Sequence, residues 1–329
     1  MFENAAIIRP VSLCPAICYN SRMPELPDIT AYIDALKPRV VGQPIQNIQI
    51  SSPFLLRSID PPVAEAVGKK ITSIRRLGKR IVFGLENEVF VVIHLMIAGR
   101  FHWKEKRVKP NRQTLAVFDF AKGTLTLTEA GSKRRASMYL VRGESALSAH
   151  NPGGLEVLDA DLASFRAALV RENHTLKRSL TDPNLFSGIG NAYSDEILHQ
   201  AGLSPLQLTK RLDESQIERL YGAVQSTLRF WSDKLRKEAE NGFPEKVTAF
   251  REDMAVHGRY GKPCPKCGTP VQRIVYAENE ANYCPTCQTG GKLLADRAMS
   301  RLLKDDWPRT LEELERKRES LAQQMPRSE

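Results

Sequence analysis

The chain has 329 residues, 42% hydrophobic and 26% charged, which is enough for two or three domains, each burying its own core. No apolar run approaches the roughly 20 residues of a membrane span, so a transmembrane-helix protein is excluded. The formal charge of +10, from 48 Lys+Arg against 38 Asp+Glu, attracts polyanions: nucleic acid leads the partner classes, with a merely solvated basic surface as the alternative.

Residues 1–22, "MFENAAIIRPVSLCPAICYNSR", have no lysine-rich start, an apolar run broken by Arg9 and Pro10, and no small-x-small cleavage site, so a secretory signal is not expected. They read as a leader absent from the mature protein, with Met23 as an in-frame start and Pro24 as the first working residue. The reason is chemical, because an internal proline nitrogen is tied up in an amide and a terminal one is a free secondary amine.

After Pro27, "DITAYIDALKPRVVG" places Ile29, Ile33, Leu36 and Val40 at helical spacing, with Asp28 positioned to cap the first turn. From Ile45 to Gly143, eight short alternating segments ("IQNIQIS", "KKITSIRRL", "RIVFGL", "VFVVIHLM", "RFHWK", "LAVFDF", "TLTLTEA", "SMYLVRG") are separated by turn residues and predict a β-sandwich or barrel. "NPGGLEVLDADL", residues 151–162, interrupts that pattern, and the period then becomes helical in "DADLASFRAALVREN", "AYSDEILHQAGL" and "DESQIERLYGAVQSTLRFWSDKLRKEAENG". The expected division is a β-domain over 23–150, a helical domain over 151–250, a cysteine module over 251–291 and a charged helical tail over 292–329.

Cys264, Cys267, Cys284 and Cys287 form two C-x-x-C pairs sixteen residues apart, and the remaining two cysteines, Cys14 and Cys18, lie in the leader. Two thiolate pairs brought together by a hairpin make a closed tetrahedral zinc site, structural because no ligand position is left for water, in a reducing compartment. A second signal is "GIGNAYSDEILHQAGLSP", where Gly188 and Gly190 permit a tight turn and the helix near Asn191 aims its amides outward to a phosphate. Taken alone, that G-x-G-N reads more readily as a glycine turn between two packed helices, and Lys79 in "RRLGKRIVF" as a solvated charge.

Taken in order, "PELPD" before a helix, the β-rich stretch, "GIGNAYSDEILHQAGLSP" and the C-x2-C-x16-C-x2-C hairpin resemble the formamidopyrimidine-DNA glycosylase/endonuclease VIII family over roughly residues 23–290. The resemblance implies an α+β multidomain fold: an N-terminal β-sandwich, a helix-two-turn-helix domain and a C-terminal zinc finger. It implies a bifunctional glycosylase and abasic-site lyase of base excision repair, a cytoplasmic monomer holding one structural zinc and gripping damaged double-stranded DNA between its lobes. Pro24 would be the nucleophile, Glu25 the acid/base partner and Lys79 the lysine beside the lesion's sugar and phosphate. Asn191 and Lys177 would hold flanking phosphates, and Glu196 would lie near the cleft.

The sequence departs from the family pattern at the residues that fill the gap left by an extruded base. "HLMIAGR" offers Met96 or Ile97 for the wedge, and "GSKRRASM" offers Arg134 or Arg135 but has Ala136 where an aromatic is expected. The family's phosphate-binding arginine of the zinc hairpin aligns with Asn279, a neutral amide, leaving Arg273 as the candidate replacement. These changes bear on lesion preference. A protein that binds abasic DNA without cutting it, and an RNA-binding zinc-ribbon protein, are the competing readings of the sequence.

Overall fold

The computed structural model describes residues 23–130, 133–240, 242–245, 251–276, 279–295 and 306–324. The leader, most of "ADRAMSRLLKDDWP" and the Asn279 side chain lie outside the described residues.

Helix α1 (Leu26–Val40) starts ahead of the expected position, because Pro27 is tolerated in a first turn, where an amide N–H has no helical partner. Asp28 therefore sits inside that turn, and its Oδ2 accepts the Glu25 amide N–H at 2.9 Å. The predicted face of Ile29, Ile33, Leu36 and Val40 is buried.

Eight strands follow: β1 (Asn47–Ile50), β2 (Ile71–Leu77), β3 (Arg80–Leu85), β4 (Val89–His94), β5 (Gly99–Lys104), β6 (Thr114–Phe120), β7 (Gly123–Glu129) and β8 (Ser137–Arg142). They pair into two antiparallel sheets, β1-β6-β7-β5 and β2-β3-β4-β8, so the sandwich is the architecture formed. Between the sheets and α1 lies the first core, where the Tyr32 ring meets Phe101 edge-on at 5.5 Å. β3 and β4 read as nearly unbroken apolar runs because both their faces are covered; on the outer face Val82, Phe90 and Val92 meet Leu147 of α2 (Gly143–Ser148).

The helical lobe contains α3 (Leu162–Val170), α4 (Leu176–Thr181), α5 (Asn191–Ala201) and α6 (Glu214–Ala239). Asp161 and Asp213 start α3 and α6 by accepting the amide N–H of Ser164 and Gln216, each at 2.8 Å. Along α6, Ile217, Leu220, Val224, Leu228 and Trp231 recur at three and four residues and are buried, joining Phe165, Phe186 and Tyr193 in a second core. Leu26 belongs to this second core, whereas Ile29 and Tyr32 belong to the first, so the first turn of α1 spans the seam between lobes.

Beyond α6 the chain returns to the sandwich: the Phe243 ring lies 5.8 Å from Tyr32, and the Glu245 carboxylate engages His102 and Lys104. The cysteine module is a hairpin of β9 (Gln272–Tyr276) and β10 (Asn279–Tyr283) followed by α7 (Pro285–Thr289). The last element among the described residues is α8 (Leu311–Gln324), and Tyr283 Oη accepts the Leu294 amide N–H at 2.8 Å. Among the described residues no helix is long and apolar enough to cross a membrane.

Candidate active site and metal centre

Gly78 and Lys79 form the two-residue turn between β2 and β3, with Leu77 and Arg80 in register. Gly78 stands at φ +61°, the left-handed conformation a tight hairpin needs at its first central position. Arg76 fastens this turn to the helical lobe. Its Nη1 donates to the Gly78 carbonyl at 2.9 Å and to Ser187 Oγ at 3.1 Å, and its Nη2 pairs with Glu156.

Opposite stands the turn that starts α5. Leu26 N–H donates to the Gly188 carbonyl at 2.9 Å, and a Cβ on Gly188 would meet Leu26 Cβ at 2.8 Å, so this glycine is required by contact as well as by its φ of +83°. The Glu25 carboxylate, 1% exposed, accepts the amide N–H groups of Gly190 at 2.6 Å, Ala192 at 2.8 Å and Tyr193 at 3.3 Å. A helix N-terminus leaves such amides unpaired and favours an anion beside them. Pro24 is buried immediately before it.

A Cβ on Gly190 would lie 2.5 Å from both Glu25 Cδ and Lys79 Nζ, so the carboxylate and the ammonium face each other across this glycine. Lys79 is half-buried, and desolvation holds its ammonium below the usual lysine range; Glu25 opposes that shift and Lys177 adds to it. Under the glycine, burial pushes the Asp28 carboxyl up to about 7, partly offset by the hydrogen bond from Glu25. Gly190→Ala is therefore expected to displace both Glu25 and Lys79 and, on the glycosylase role the resemblance implies, to lower single-turnover base excision by about 100-fold, the usual cost of a 1 Å misplacement. Undiminished excision by that variant would separate these two residues from the chemistry.

Lys177 was expected beside the flanking phosphates. It is 3% exposed, and its Nζ donates to Asp195 Oδ1 at 2.5 Å and to the Asn191 carbonyl at 2.6 Å, so it holds the backbone of the turn that carries Asn191. Burial alone would raise the Asp195 carboxyl, but the Lys177 ammonium and the His257 ring beside it bring it below the ordinary range. Asn191 stands at the first position of α5 with its backbone held this way, while its side-chain Nδ2 has no partner among the described residues.

β4 ends at His94, in register with Arg80 on one side and Ser137 on the other. Lys79, the Leu95–Ala98 turn and Arg134–Ala136 therefore emerge at one end of that sheet. Met96 and Ile97 are both half-buried in this turn, Met96 at φ +53°, a conformation that costs a non-glycine residue about 1–3 kcal/mol. Arg134 is exposed and donates to the Arg112 carbonyl at 2.5 Å. The backbone of Arg135 and Ala136 is gathered by Glu129, and Ala136 is buried in the sandwich core, so no wedge side chain projects from position 136. His94 was not singled out from sequence. Burial, then Arg80 and Lys79, push its imidazole down to about 4, and its Nδ1 has no partner among the described residues, which a polar residue closing the apolar run "VVIHLM" could have signalled.

Glu196, expected near the cleft, serves a structural contact in this fold. It is 6% exposed and accepts the amide N–H groups of Ala255 at 2.7 Å and of Val256 and His257 at 2.9 Å each, so both oxygens secure the segment before the cysteine module. Burial raises its carboxyl against the pull of those three donors. Arg273 is on β9, its guanidinium 4.5 Å from the Tyr260 ring centroid and its Nη1 3.6 Å from Glu280. It is thus held by the module's own groups.

Cys264, Cys267, Cys284 and Cys287 come together with their sulfurs all within 4.8 Å of one another. Gly268, at φ +77°, lets its amide N–H turn back to the Cys264 carbonyl at 2.9 Å, which shapes the first C-x-x-C. An all-sulfur set of this size fits a soft tetrahedral cation. The module docks on the C-terminal end of α5, where His199 Nε2 lies 3.2 Å from Cys264 Sγ and Gln288 Nε2 donates to the Leu203 carbonyl at 2.9 Å.

Three family descriptions match in chain order: the formamidopyrimidine-DNA glycosylase N-terminal domain over residues 23–137, its H2TH domain over 154–231, and the zinc finger found in FPG and IleRS over 261–290. The formamidopyrimidine-DNA glycosylase of Thermus thermophilus is 33% identical over 282 residues, covering 82% of this chain and all of that protein. An uncharacterised formamidopyrimidine-DNA glycosylase-like protein of Mycobacterium tuberculosis is 44% identical over 153 residues, 46% of this chain and 93% of its own. Among solved structures, the Lactococcus lactis glycosylase bound to DNA containing an abasic site superposes with a TM-score of 0.71 at 25% identity, over 80% of this chain and 99% of that one. With the sandwich, the helical lobe and the cysteine hairpin in that family's order, the chain belongs to the formamidopyrimidine-DNA glycosylase family of DNA repair glycosylases.

Proposed function

We propose that the chain is a bifunctional enzyme that excises oxidised bases from duplex DNA and then cleaves the abasic strand, acting as a monomer. One observation carries this reading: Glu25, Lys79 and the Gly190–Asn191 turn, from three separate stretches, converge on one point at the seam between the lobes.

With its amine free, Pro24 attacks C1′ of the damaged nucleotide; the C1′–N bond to the base breaks and a bond to the proline nitrogen forms. The base departs with a proton supplied from the site, where Glu25 and Lys79 are the groups within reach. Opening of the sugar gives an iminium whose nitrogen is cationic without protonation. It draws electrons from the sugar, so that loss of a proton from C2′ expels the 3′ phosphate and a second elimination expels the 5′ phosphate. Asn191, with its unpartnered Nδ2, is suited to donate to a phosphate beside the extruded nucleotide. The four cysteines would hold one zinc ion, which when bound supplies folding energy to the module.

Two substitutions on a panel of single-lesion duplexes test the assignment. Lys79→Ala is expected to lower excision by about 100-fold or more while leaving affinity near that of the parent. Asn191→Ala is expected to weaken binding about tenfold, the scale of one hydrogen bond to a charged group, with the thermal midpoint unchanged. Equal losses of rate and affinity in the first case would reduce Lys79 to a backbone contact. Unchanged affinity in the second would make Asn191 a residue of the turn alone.

A further inference from the structure

On the far side of the Asn191 turn lies a set of buried polar groups that the chemistry above does not use. Asp195, on α5, is fully buried and its two oxygens face different modules. Oδ1 receives Lys177, which also holds the Asn191 carbonyl. Oδ2 lies 2.8 Å from His257 Nδ1 and 3.3 Å from Asn282 Nδ2. Asn282 is on β10, two residues before Cys284, and also donates to Glu280 Oε1 at 3.2 Å. His257 lies seven residues before Cys264 and its amide N–H is held by Glu196, the neighbour of Asp195 on the same helix.

These contacts form one continuous chain from the cysteine hairpin to the backbone of Asn191: Asn282 and His257 to Asp195, Asp195 to Lys177, Lys177 to the Asn191 carbonyl. The four side chains in it are each 3% exposed or less, so water cannot readily replace a lost partner and the energetic penalty of breaking a link is high. The Asp195 carboxylate leaves the facing His257 Nδ1 to act as a hydrogen-bond donor, which orients the ring. Removing the ring would leave Oδ2 with Asn282 alone, at 3.3 Å.

We propose that His257 is a positioning residue for the Asn191 turn, acting through Asp195 and Lys177 and seconded by Asn282. Through this chain the cysteine module sets the geometry of the turn that starts α5, and His257, which makes no hydrogen bond to Glu25 or Lys79, tunes the grip on DNA. The effect on DNA rests on the reading of Asn191 as a phosphate contact; the effect on the turn does not.

The experiment uses the zinc-loaded full chain and measures hydrogen exchange of the peptide spanning Gly188–Tyr193, with β3 and β4 as internal reference. His257→Phe is expected to speed exchange there about five- to tenfold, the change that loss of one hydrogen bond corresponds to, with zinc content and the reference strands unmoved. His257→Asn, whose amide can still donate to Asp195, is expected to restore slow exchange. Should His257→Phe fail to fold or to hold zinc, Asn282→Ala gives the same readout with a smaller perturbation. Unaltered exchange at 188–193, or acceleration that His257→Asn does not reverse, overturns the proposal.

DNA affinity then separates the two readings. His257→Phe is expected to weaken binding to an abasic-analogue duplex in the parent chain and to add nothing in an Asn191→Ala background, because the two act in series. Additive losses would show that His257 reaches DNA by another route and would overturn the assignment. Faster exchange with unchanged affinity would leave the positioning chain standing and remove Asn191 as a DNA contact.

Discussion

A chain beginning at Pro24 is expected to form a covalent adduct with an abasic-site duplex under borohydride, and a chain that keeps residues 1–22 is expected to form it slower by about 10³-fold or more, the scale of losing a catalytic nucleophile. The cause is the nitrogen lone pair: in an internal Met23–Pro24 bond it is delocalised into the carbonyl, and no aldehyde can capture it. The geometry around it would be unchanged, since Glu25 remains clamped by Gly190, Ala192 and Tyr193. The comparison therefore isolates the amine. Pro24→Gly in the shorter chain supplies a primary amine, whose imine must gain a proton before it can draw electrons from the sugar, and it is expected to trap more slowly. Intact mass verifies that the longer chain stays uncleaved. Equal trapping by the two would assign the nucleophile elsewhere and end the mechanism proposed above.

The second large effect is expected from the cysteine site. Cys284→Ser, or removal of the ion by a chelator, should abolish lesion-specific binding, because a structural zinc site contributes about 10 kcal/mol or more to a module this small. Its own apolar core is small, Val256, Val271 and the buried cysteines, so the polar contacts that dock it on α5 depend on the metal to keep their geometry. The sandwich core, with α1 and eight strands, has no contact of this kind to lose and should keep its far-ultraviolet signature. Metal analysis together with fluorescence anisotropy on a lesion duplex checks this. A metal-free chain with full affinity would make the cysteines dispensable.

The strands were legible because each carries its own period and its own turn residues; "RRLGKR" predicts the hairpin that presents Lys79, and Gly78 adopts the positive φ such a turn demands. The long α6 was legible from its buried stripe for the same reason. Depth was not legible. Glu196 and Lys177 sit in helical contexts where a charged side chain usually faces water, yet both are buried, because their partners come from sequence positions 255–257 and 195 that no local pattern connects. Asp28 was misplaced by three residues, expected at the cap and found at the third helical position, for a local reason: Pro27 reads as a stop although it is tolerated at a helix start. His257 was invisible: a single histidine before a cysteine pair gives no sign of the aspartate it meets.

The first turn of α1 has one foot in each core, with Leu26 packed among the helices and Ile29 and Tyr32 within the sandwich. Under the proposed function, this arrangement makes activity conditional on complete folding. Glu25 and Lys79 meet at Gly190, so a chain with one core formed and the other open would lack that juxtaposition, and activity under the proposed function would report both cores at once.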